Sequence, residues 1–336
     1  MKKTIIRGTG RYLPPRLVTN EDLTQWMDTS AEWIQQRTGI EQRYWVPEEG
    51  GMGAADIGLE ASKIALDRAG WKPEDIDLII FATLSPDIFF PGSGCLLQHM
   101  LGLETTPALD IRQQCTGFFY GLATADAYIK SGQANRVLFV GSEVHSTGLD
   151  VSTRGRDVAV IFGDGAGAVC LEGLETDSKV GILASTLHAQ GQYADALMTE
   201  APASRLSKRL THEMLDQGRH YPRMDGRNVY RLALTRLPEV TYHTLEKAGV
   251  SLEEVDLIIP HQANIRINQG FQKALQIPEE KMYHNIQRYG NTTAGSIPIA
   301  LDEALEKEII GKSSTVLFAG LGAGVTWGAV IYQFED

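Results

Sequence analysis

Three residues combine a reactive type with a position suited to chemistry: Cys115, His261 and Asn291. Cys115 stands in Asp110-Ile-Arg-Gln-Gln-Cys-Thr-Gly117, just before a helix pattern. A cysteine at a strand-to-helix junction meets the partial positive charge of the helix N-terminus, which favours thiolate. Gly117 beside it allows close backbone approach. His261 follows the apolar run Val255 to Ile259, in Pro260-His-Gln-Ala-Asn264, and reads as the one histidine of eight that terminates a buried strand. A neutral imidazole there polarises a carbonyl or moves a proton. Asn291, in Tyr289-Gly-Asn-Thr-Thr-Ala-Gly295, offers an amide donor to a developing oxyanion. Each also has a plain structural reading: an inert buried thiol, a hydrogen-bonded core imidazole, an ordinary N-cap. Cys95 and Cys170 sit in patterns that packing explains.

These residues are positioned by an internal repeat. Leu66-Asp-Arg-Ala-Gly70 followed by Glu74-Asp-Ile-Asp-Leu-Ile-Ile80 returns as Leu245-Glu-Lys-Ala-Gly249 followed by Glu253-Glu-Val-Asp-Leu-Ile-Ile259. Val137-Leu-Phe-Val-Gly141 returns as Val316-Leu-Phe-Ala-Gly320, at the same offset of 179 positions (66 to 245, 137 to 316). A period this long means a duplicated domain, not a solenoid. Each copy reads as a helix (Ala55 to Ala69; Leu232 to Ala248) closed by a left-handed glycine, Gly70 or Gly249. An apolar run follows (Ile76 to Phe81; Val255 to Ile259), then a second helix (about Phe118 to Ser131; about Ser296 to Ile310). A second run closes the unit (Val137 to Val140; Thr315 to Ala319). Apolar runs without polar alternation are strands buried on both faces, so the class is α/β, with two sheets sharing helices. The halves are 1–173, carrying Cys115, and 174–336, carrying His261 and Asn291. Residues 190–228, rich in charge and without a sustained period, read as an insertion: a solvated loop, or a cap or docking surface.

In such sheets ligands bind beyond the carboxyl ends of the strands, where Cys115 and His261 fall. The Gly-rich segments Gly163-Asp-Gly-Ala-Gly167 and Gly320-Leu-Gly-Ala-Gly324 lack the context of phosphate-binding motifs. They suit tight turns whose N–H groups face a reacting centre. Composition narrows the rest. The chain has 336 residues, is 43% hydrophobic, and carries a net charge of −11, which excludes a bulk nucleic-acid binder. Its apolar stretches are too short to span a bilayer and no signal-peptide core is present, so the expected location is the cytoplasm. Three cysteines without CxxC spacing do not suggest a disulfide framework or a zinc module.

Two chemistries share the residue set. Cys, His and Asn in this order match a papain-like protease, but the local context is Gln114-Cys-Thr-Gly-Phe118 rather than the Cys-Gly-Ser/Ala-Cys signature, and the α/β unit is duplicated. The other reading is thioester chemistry: a thiolate takes an acyl group while His and Asn stabilise an enolate formed by decarboxylation of a malonyl unit. A non-catalytic acyl-binding homologue is a third, which the intact residue set disfavours.

Several motifs in order carry a resemblance: Trp33-Ile-Gln-Gln-Arg-Thr-Gly39, Cys115-Thr-Gly-Phe-Phe-Tyr-Gly121, Phe162-Gly-Asp-Gly-Ala-Gly167, His261-Gln-Ala-Asn-Ile-Arg-Ile267, Tyr289-Gly-Asn-Thr-Thr293 and Gly324-Val-Thr-Trp-Gly328. From Gly8 to the C-terminus the chain resembles the β-ketoacyl-acyl-carrier-protein synthase III family of the thiolase superfamily. The resemblance implies a thiolase fold of five layers, αβαβα, usually in a homodimer, without a resident cofactor or metal. It implies condensation of an acyl-CoA starter with malonyl-acyl carrier protein. Cys115 then matches the acylated nucleophile, His261 and Asn291 the pair that promotes decarboxylation, and the N–H groups of Cys115 and Ala323 the oxyanion hole. Trp33 and Arg154 match an adenine sandwich, Arg37 a pyrophosphate contact, and Asn264 and Gly226 contacts to pantetheine. Arg231 and Arg266, with Lys273 nearby, match a docking surface for an acidic carrier protein, which Arg219, Arg223 and Arg227 would extend. Phe90 aligns with a residue that reaches across the dimer to limit the acyl pocket. Leu321 and Val325 replace aromatic residues, and Tyr230 stands where phenylalanine is usual. These departures leave acetyl-CoA as the default starter and a longer acyl group of a specialised pathway as the alternative.

Overall fold

A computed structural model describes residues 2–49 and 51–335. Two sheets form its centre. In the first, the strands Lys2–Tyr12, Gly165–Glu175, Arg136–Glu143, Leu78–Ala82 and Ala108–Ile111 lie side by side in that order. In the second the order is Gly181–Ala189, Thr326–Gln333, Thr315–Gly322 and Leu257–Pro260. The duplication extends to register. Leu78 pairs with Val137 in parallel, and 179 positions on (78 to 257, 137 to 316) Leu257 pairs with Val316 in parallel. The fifth strand of the first sheet survives in the second only as a bridge between Ile258 and Met282.

The layering follows from the alternation of side chains along a fully buried strand. Leu78, Ile80 and Ala82 face the middle of the molecule, whereas Ile79 and Phe81 face the helix Ala54–Ala69. In the second sheet Leu257, Ile259, Val316 and Phe318 face the middle, while Ile258 and Leu317 pack beneath the helix Gly226–Ala248. Between the sheets run the helices Gly117–Lys130 and Ser296–Glu306, apolar on nearly every side. The result is the expected αβαβα sandwich. Phe118 ties it together, edge-on to Phe139 of one sheet at 5.6 Å and to Phe318 of the other at 5.3 Å. Truncating such a buried aromatic costs about 3–5 kcal/mol. Gly70 (φ 67°) and Gly249 (φ 60°) close their helices in the left-handed conformation, as read from the sequence.

Three details differ from the sequence reading. The strand Gly165–Glu175 runs past residue 173, so the first unit ends within 176–180, because Glu175 still pairs with Lys2. The helix read from Leu232 begins at Gly226, where Asp225 caps it by accepting the Asn228 N–H at 3.1 Å. Residues 190–228 are partly ordered: a hairpin of Leu197–Thr199 with Pro222–Met224 brackets an excursion that holds the short helix His212–Asp216. Among the described residues no helix is long and apolar enough to cross a membrane.

Candidate active site

The repeat builds the same device twice, and the site lies where the two copies meet. Gln114–Thr116 forms a single 3-10 turn that runs into the helix Gly117–Lys130, and Thr293–Gly295 forms one that runs into Ser296–Glu306. The first residue of each turn, Gln114 and Thr293, has φ of 47°, a conformation that residues with side chains rarely adopt. The turns touch: a Cβ on Gly117 would stand 3.1 Å from that of Ala294. One copy places a thiol at this junction, and the other leaves room for the groups that act beside it.

Cys115 is buried, 6% exposed. Burial pushes its thiol up to about 12 and the nearby Glu143 adds to this, while the N–H groups of Ala323 and Cys115 and the Thr293 hydroxyl oppose it. The thiolate expected from the helix terminus is therefore not the resting form, because desolvation outweighs the donors. The loop that carries Ala323 packs against the Cys115 turn. Gly322 permits it: a Cβ there would lie 2.7 Å from the Cys115 Cβ. Thr116 Oγ1 and Thr326 Oγ1 share a hydrogen bond of 2.7 Å, and Thr326 donates to the Ala323 carbonyl at 3.1 Å, which locks the turn to the loop.

His261 follows the strand Leu257–Pro260, as expected, and its N–H donates to the Ala319 carbonyl at 2.8 Å. Its Nδ1 lies 2.6 Å from Ser296 Oγ. That oxygen also accepts the Gln262 N–H at 3.4 Å; with the serine hydroxyl donating to Nδ1, the ring proton stands on Nε2. Nε2 is buried without a partner, and burial holds the imidazole neutral by lowering its pKa to about 3. Asn291 is not the N-cap of the following helix, whose cap residue is Gly295. Instead its Oδ1 accepts the Thr293 N–H at 2.8 Å, while its backbone is held between Ile161 and Gly163. The Nδ2 donor is left to face the cavity.

That cavity, about 910 Å³, is lined by Cys115, His261 and Asn291 together. Trp33, Arg37, Gly226 and Asn264 line it as well, towards the outside. Arg154 does not. It pairs with Asp150 at 2.5 Å, donates to the Asp216 carbonyl, and stacks over Tyr221 at 5.6 Å. The guanidinium groups over Trp33 are those of Arg37 at 5.5 Å and Arg156 at 5.3 Å. Arg266 and Lys273 stand exposed on the rim with Arg227, whereas Arg231 lies outside the lining and donates to Asn228 at 2.9 Å. Arg219 is engaged by Glu200 at 2.5 Å. Leu321 and Val325 line the cavity, and Tyr230 reaches it; Phe90 is 78% exposed, away from it. Leu197 and Met224 of the 190–228 segment contribute part of the wall, so this segment is more than a solvated loop. Cys170 is buried in its strand, but Cys95 is exposed.

Sequence reasoning passed over several residues of this site. Glu143 ends the buried strand Arg136–Glu143 and accepts from Thr83, Leu84 N, Ser85 N, Ser85 Oγ and Ala294 N. Burial pushes its carboxyl up to about 7. His145, two residues on, is also buried, so His261 is not alone in following a buried strand. The rule that singled out His261, a polar residue closing an apolar run, applied equally to Gly141-Ser-Glu143. Ser296 had no local signal. Gly163 and Gly167 serve close packing: a Cβ would meet the Tyr289 carbonyl oxygen at 2.3 Å or Ile299 N at 2.7 Å.

Comparison with known proteins agrees with this arrangement. Residues 109–191 match the family described as 3-oxoacyl-(acyl-carrier-protein) synthase III, and residues 245–334 match its C-terminal part. A β-ketoacyl-(acyl-carrier-protein) synthase III of Caldanaerobacter subterraneus subsp. tengcongensis is 40% identical, over 98% of this chain and 97% of that protein. The solved structure of 3-oxoacyl-(acyl-carrier-protein) synthase III from Aquifex aeolicus VF5 shares 42% identity at a TM-score of 0.88, over 98% of this chain and 100% of that one. That from Pseudomonas aeruginosa PAO1 shares 34% identity at a TM-score of 0.89, over 99% of each. With its duplicated fold and its buried thiol, imidazole and amide around one cavity, this chain belongs to the 3-oxoacyl-(acyl-carrier-protein) synthase III family.

Proposed function

We propose that the cavity condenses an acyl-CoA starter with a malonyl group carried on an acyl carrier protein, the step that initiates fatty acid synthesis, through an acyl group held on Cys115. The activity is that of a condensing acyltransferase, in keeping with the family. The observation that carries the residue assignment is the convergence of Cys115, His261 and Asn291 on one cavity from both halves of the duplicated chain.

In the first half-reaction the Cys115 sulfur attacks the thioester carbonyl, and the Cys115 and Ala323 N–H groups receive the negative charge on its oxygen. In the second, the malonyl thioester carbonyl sits against His261 Nε2–H and Asn291 Nδ2. Both donors act most strongly as the malonyl carboxylate leaves as carbon dioxide and charge collects on that oxygen, which lowers the barrier rather than binding the ground state. The carbanion attacks the acyl-Cys115 carbonyl, the C–S bond breaks, and the β-ketoacyl product leaves with the carrier. A His261 held neutral by burial fits a donor of hydrogen bonds and does not require a titrating base.

Trp33 and Arg37 at the mouth suit the nucleotide end of coenzyme A, with Arg156 rather than Arg154 nearest the aromatic face. Asn264 and Gly226, which also line the cavity, suit the pantetheine arm. Exposed Arg266, Lys273 and Arg227 on the rim give an acidic chain a local basic patch for an acidic carrier protein; Arg231 lies beside it. Ile88, Phe89 and Phe90 are 48%, 65% and 78% exposed in succession, an apolar loop that a second copy would cover in a homodimer, with Phe90 then reaching the partner's acyl pocket beside Leu321 and Val325. Three unpaired cysteines fit the reducing cytoplasm.

The test is intact-protein mass after incubation with acyl-CoAs from acetyl to dodecanoyl, with wild type and Cys115→Ser. Rapid acetylation confined to wild type is expected. Labelling of Cys115→Ser at the wild-type rate would remove Cys115 from the mechanism, and preference for a dodecanoyl group would move the starter to long chains.

A further inference from the structure

The loop that carries Ala323 and the turn that carries Cys115 come from opposite halves of the chain, and a buried pair of hydroxyls joins them. Thr116 closes the turn Gln114–Thr116 and is fully buried, and Thr326, 4% exposed, opens the strand Thr326–Gln333. Their Oγ1 atoms lie 2.7 Å apart, although 210 positions separate them. Thr116 Oγ1 also stands 2.8 Å from the Gln113 carbonyl oxygen, and Thr326 Oγ1 stands 3.1 Å from that of Ala323. Two hydroxyl protons thus serve three contacts. The Gln113 carbonyl already receives the Thr116 N–H at 3.0 Å, so it loses least if the Thr116 hydroxyl turns to Thr326 instead.

Around this pair the loop presses on the nucleophile. A Cβ on Gly322 would stand 2.7 Å from the Cys115 Cβ and 3.1 Å from its N. At Gly324 the backbone has φ of 126°, which side-chain-bearing residues rarely adopt, so no regular structure within the loop holds Ala323 in place. Packing brings loop and turn together but does not stop one sliding on the other, because apolar contact has no direction. A hydrogen bond does have one. The chain of hydroxyls ends on Ala323 itself, the residue whose N–H is read as half of the oxyanion hole.

We propose that Thr116 and Thr326 are positioning residues for acylation: the Thr116 hydroxyl donates to Thr326, Thr326 donates to the Ala323 carbonyl, and the chain sets where the Ala323 N–H stands relative to Cys115. This rests on the reading of Cys115 as the acylated nucleophile. Acylation forms the bond from Cys115 Sγ to the thioester carbonyl carbon while the carbonyl π pair moves to oxygen. That pair returns as the bond to the coenzyme A sulfur breaks, and the proton lost by one thiol is gained by the other. The oxyanion exists only between these steps, so a donor displaced by a fraction of an ångström slows them without weakening the binding of substrate.

The experiment compares two reactions of one thiol, both followed by mass on the peptide that holds Cys115, since Cys95 is exposed as well. Acetylation by acetyl-CoA develops an oxyanion. Alkylation by iodoacetamide displaces iodide and develops none. Thr116→Val and Thr326→Val are expected to slow acetylation at saturating acetyl-CoA by about 10- to 100-fold, with KM within about twofold and alkylation within about threefold of wild type. Thr326→Ser keeps the hydroxyl and is expected to acetylate within about threefold of wild type. The double variant Thr116→Val/Thr326→Val removes both hydroxyls, leaves neither unpaired, and is expected to be as slow as either single variant; it keeps the test decisive should a single variant unfold. Acetylation at the wild-type rate by the double variant, or an equal fall of acetylation and alkylation in folded variants, overturns the proposal. Thr326→Ser as slow as Thr326→Val does so too. Failure of wild type itself to acetylate would overturn the reading of Cys115 instead.

Discussion

Ser296→Ala separates the two half-reactions. Ser296 Oγ lies 2.6 Å from His261 Nδ1 and both residues are almost fully buried; in the proposed mechanism the hydroxyl donates to Nδ1 and so keeps Nε2–H for the malonyl carbonyl. Removing it leaves Nδ1 without a partner in a dry site and lets the ring proton move to the wrong nitrogen. An unmet buried polar group costs about 1–3 kcal/mol. Each 1.4 kcal/mol corresponds to about tenfold in rate, so condensation should slow by about 5- to 150-fold. Acylation of Cys115 should not slow, because its donors are the Cys115 and Ala323 N–H groups and Thr293, none of which touches Ser296 through a side chain. The assay measures acetylation of the protein by mass in one arm and release of labelled carbon dioxide from malonyl-acyl carrier protein in the other. The acylation arm also reports that the variant is folded. Carbon dioxide release within twofold of wild type, or an equal fall in both arms, would refute the assignment of His261 Nε2 as an oriented donor.

Three further outcomes follow from the same geometry. Gly322→Ala places a Cβ 2.7 Å from the Cys115 Cβ, closer than two such atoms can approach, so the nucleophile's turn must shift; acylation should fall more than about 100-fold as reacting groups lose alignment, measured by the same mass assay. Trp33→Ala removes the aromatic face at the mouth, and by the usual worth of base stacking, about 1–3 kcal/mol, should raise the KM for acetyl-CoA at least fivefold while leaving that for acetyl-pantetheine unchanged. The third concerns pH and stability. Burial lowers His284 to about 4 from an ordinary 6.5, so the unfolded chain takes up a proton that the folded one refuses between these values. The stability tied to this group is present above about pH 6.5 and is lost as pH falls towards 4. His284→Gln should therefore flatten the decline of denaturant-measured stability in that window by up to about 1.4 kcal/mol per pH unit; an unchanged slope would show that His284 is not buried in its neutral form.

The sequence by itself carried the duplication and an α/β class with two sheets sharing helices, and it singled out Cys115, His261 and Asn291 as candidates; the five-layer order came with the family resemblance. A repeat at a constant offset shows directly in the letters, because both copies keep the same apolar spacing, and a fully buried strand has no other pattern available. His261 was legible since it closes such a run, and Cys115 since it stands at a strand-to-helix junction. Tertiary structure alone decided what those residues are chemically. The sequence suggested a thiolate at a helix start; burial made it a neutral thiol, because desolvation depends on everything packed around the sulfur and not on its neighbours in the chain. Asn291 read as an N-cap or an oxyanion donor, and only the hydrogen bond from Thr293 N–H to its Oδ1 turns its amide donor to the cavity. Arg154 matched a nucleotide contact by position, and only the fold shows that Asp150 and the Asp216 carbonyl orient its guanidinium. His145, Glu143 and Ser296 come together with residues up to 151 positions away (143 to 294). Local sequence carries no trace of such meetings: they exist only once two sheets close on the helices between them, and it is that closure which sets charge, tautomer and reach.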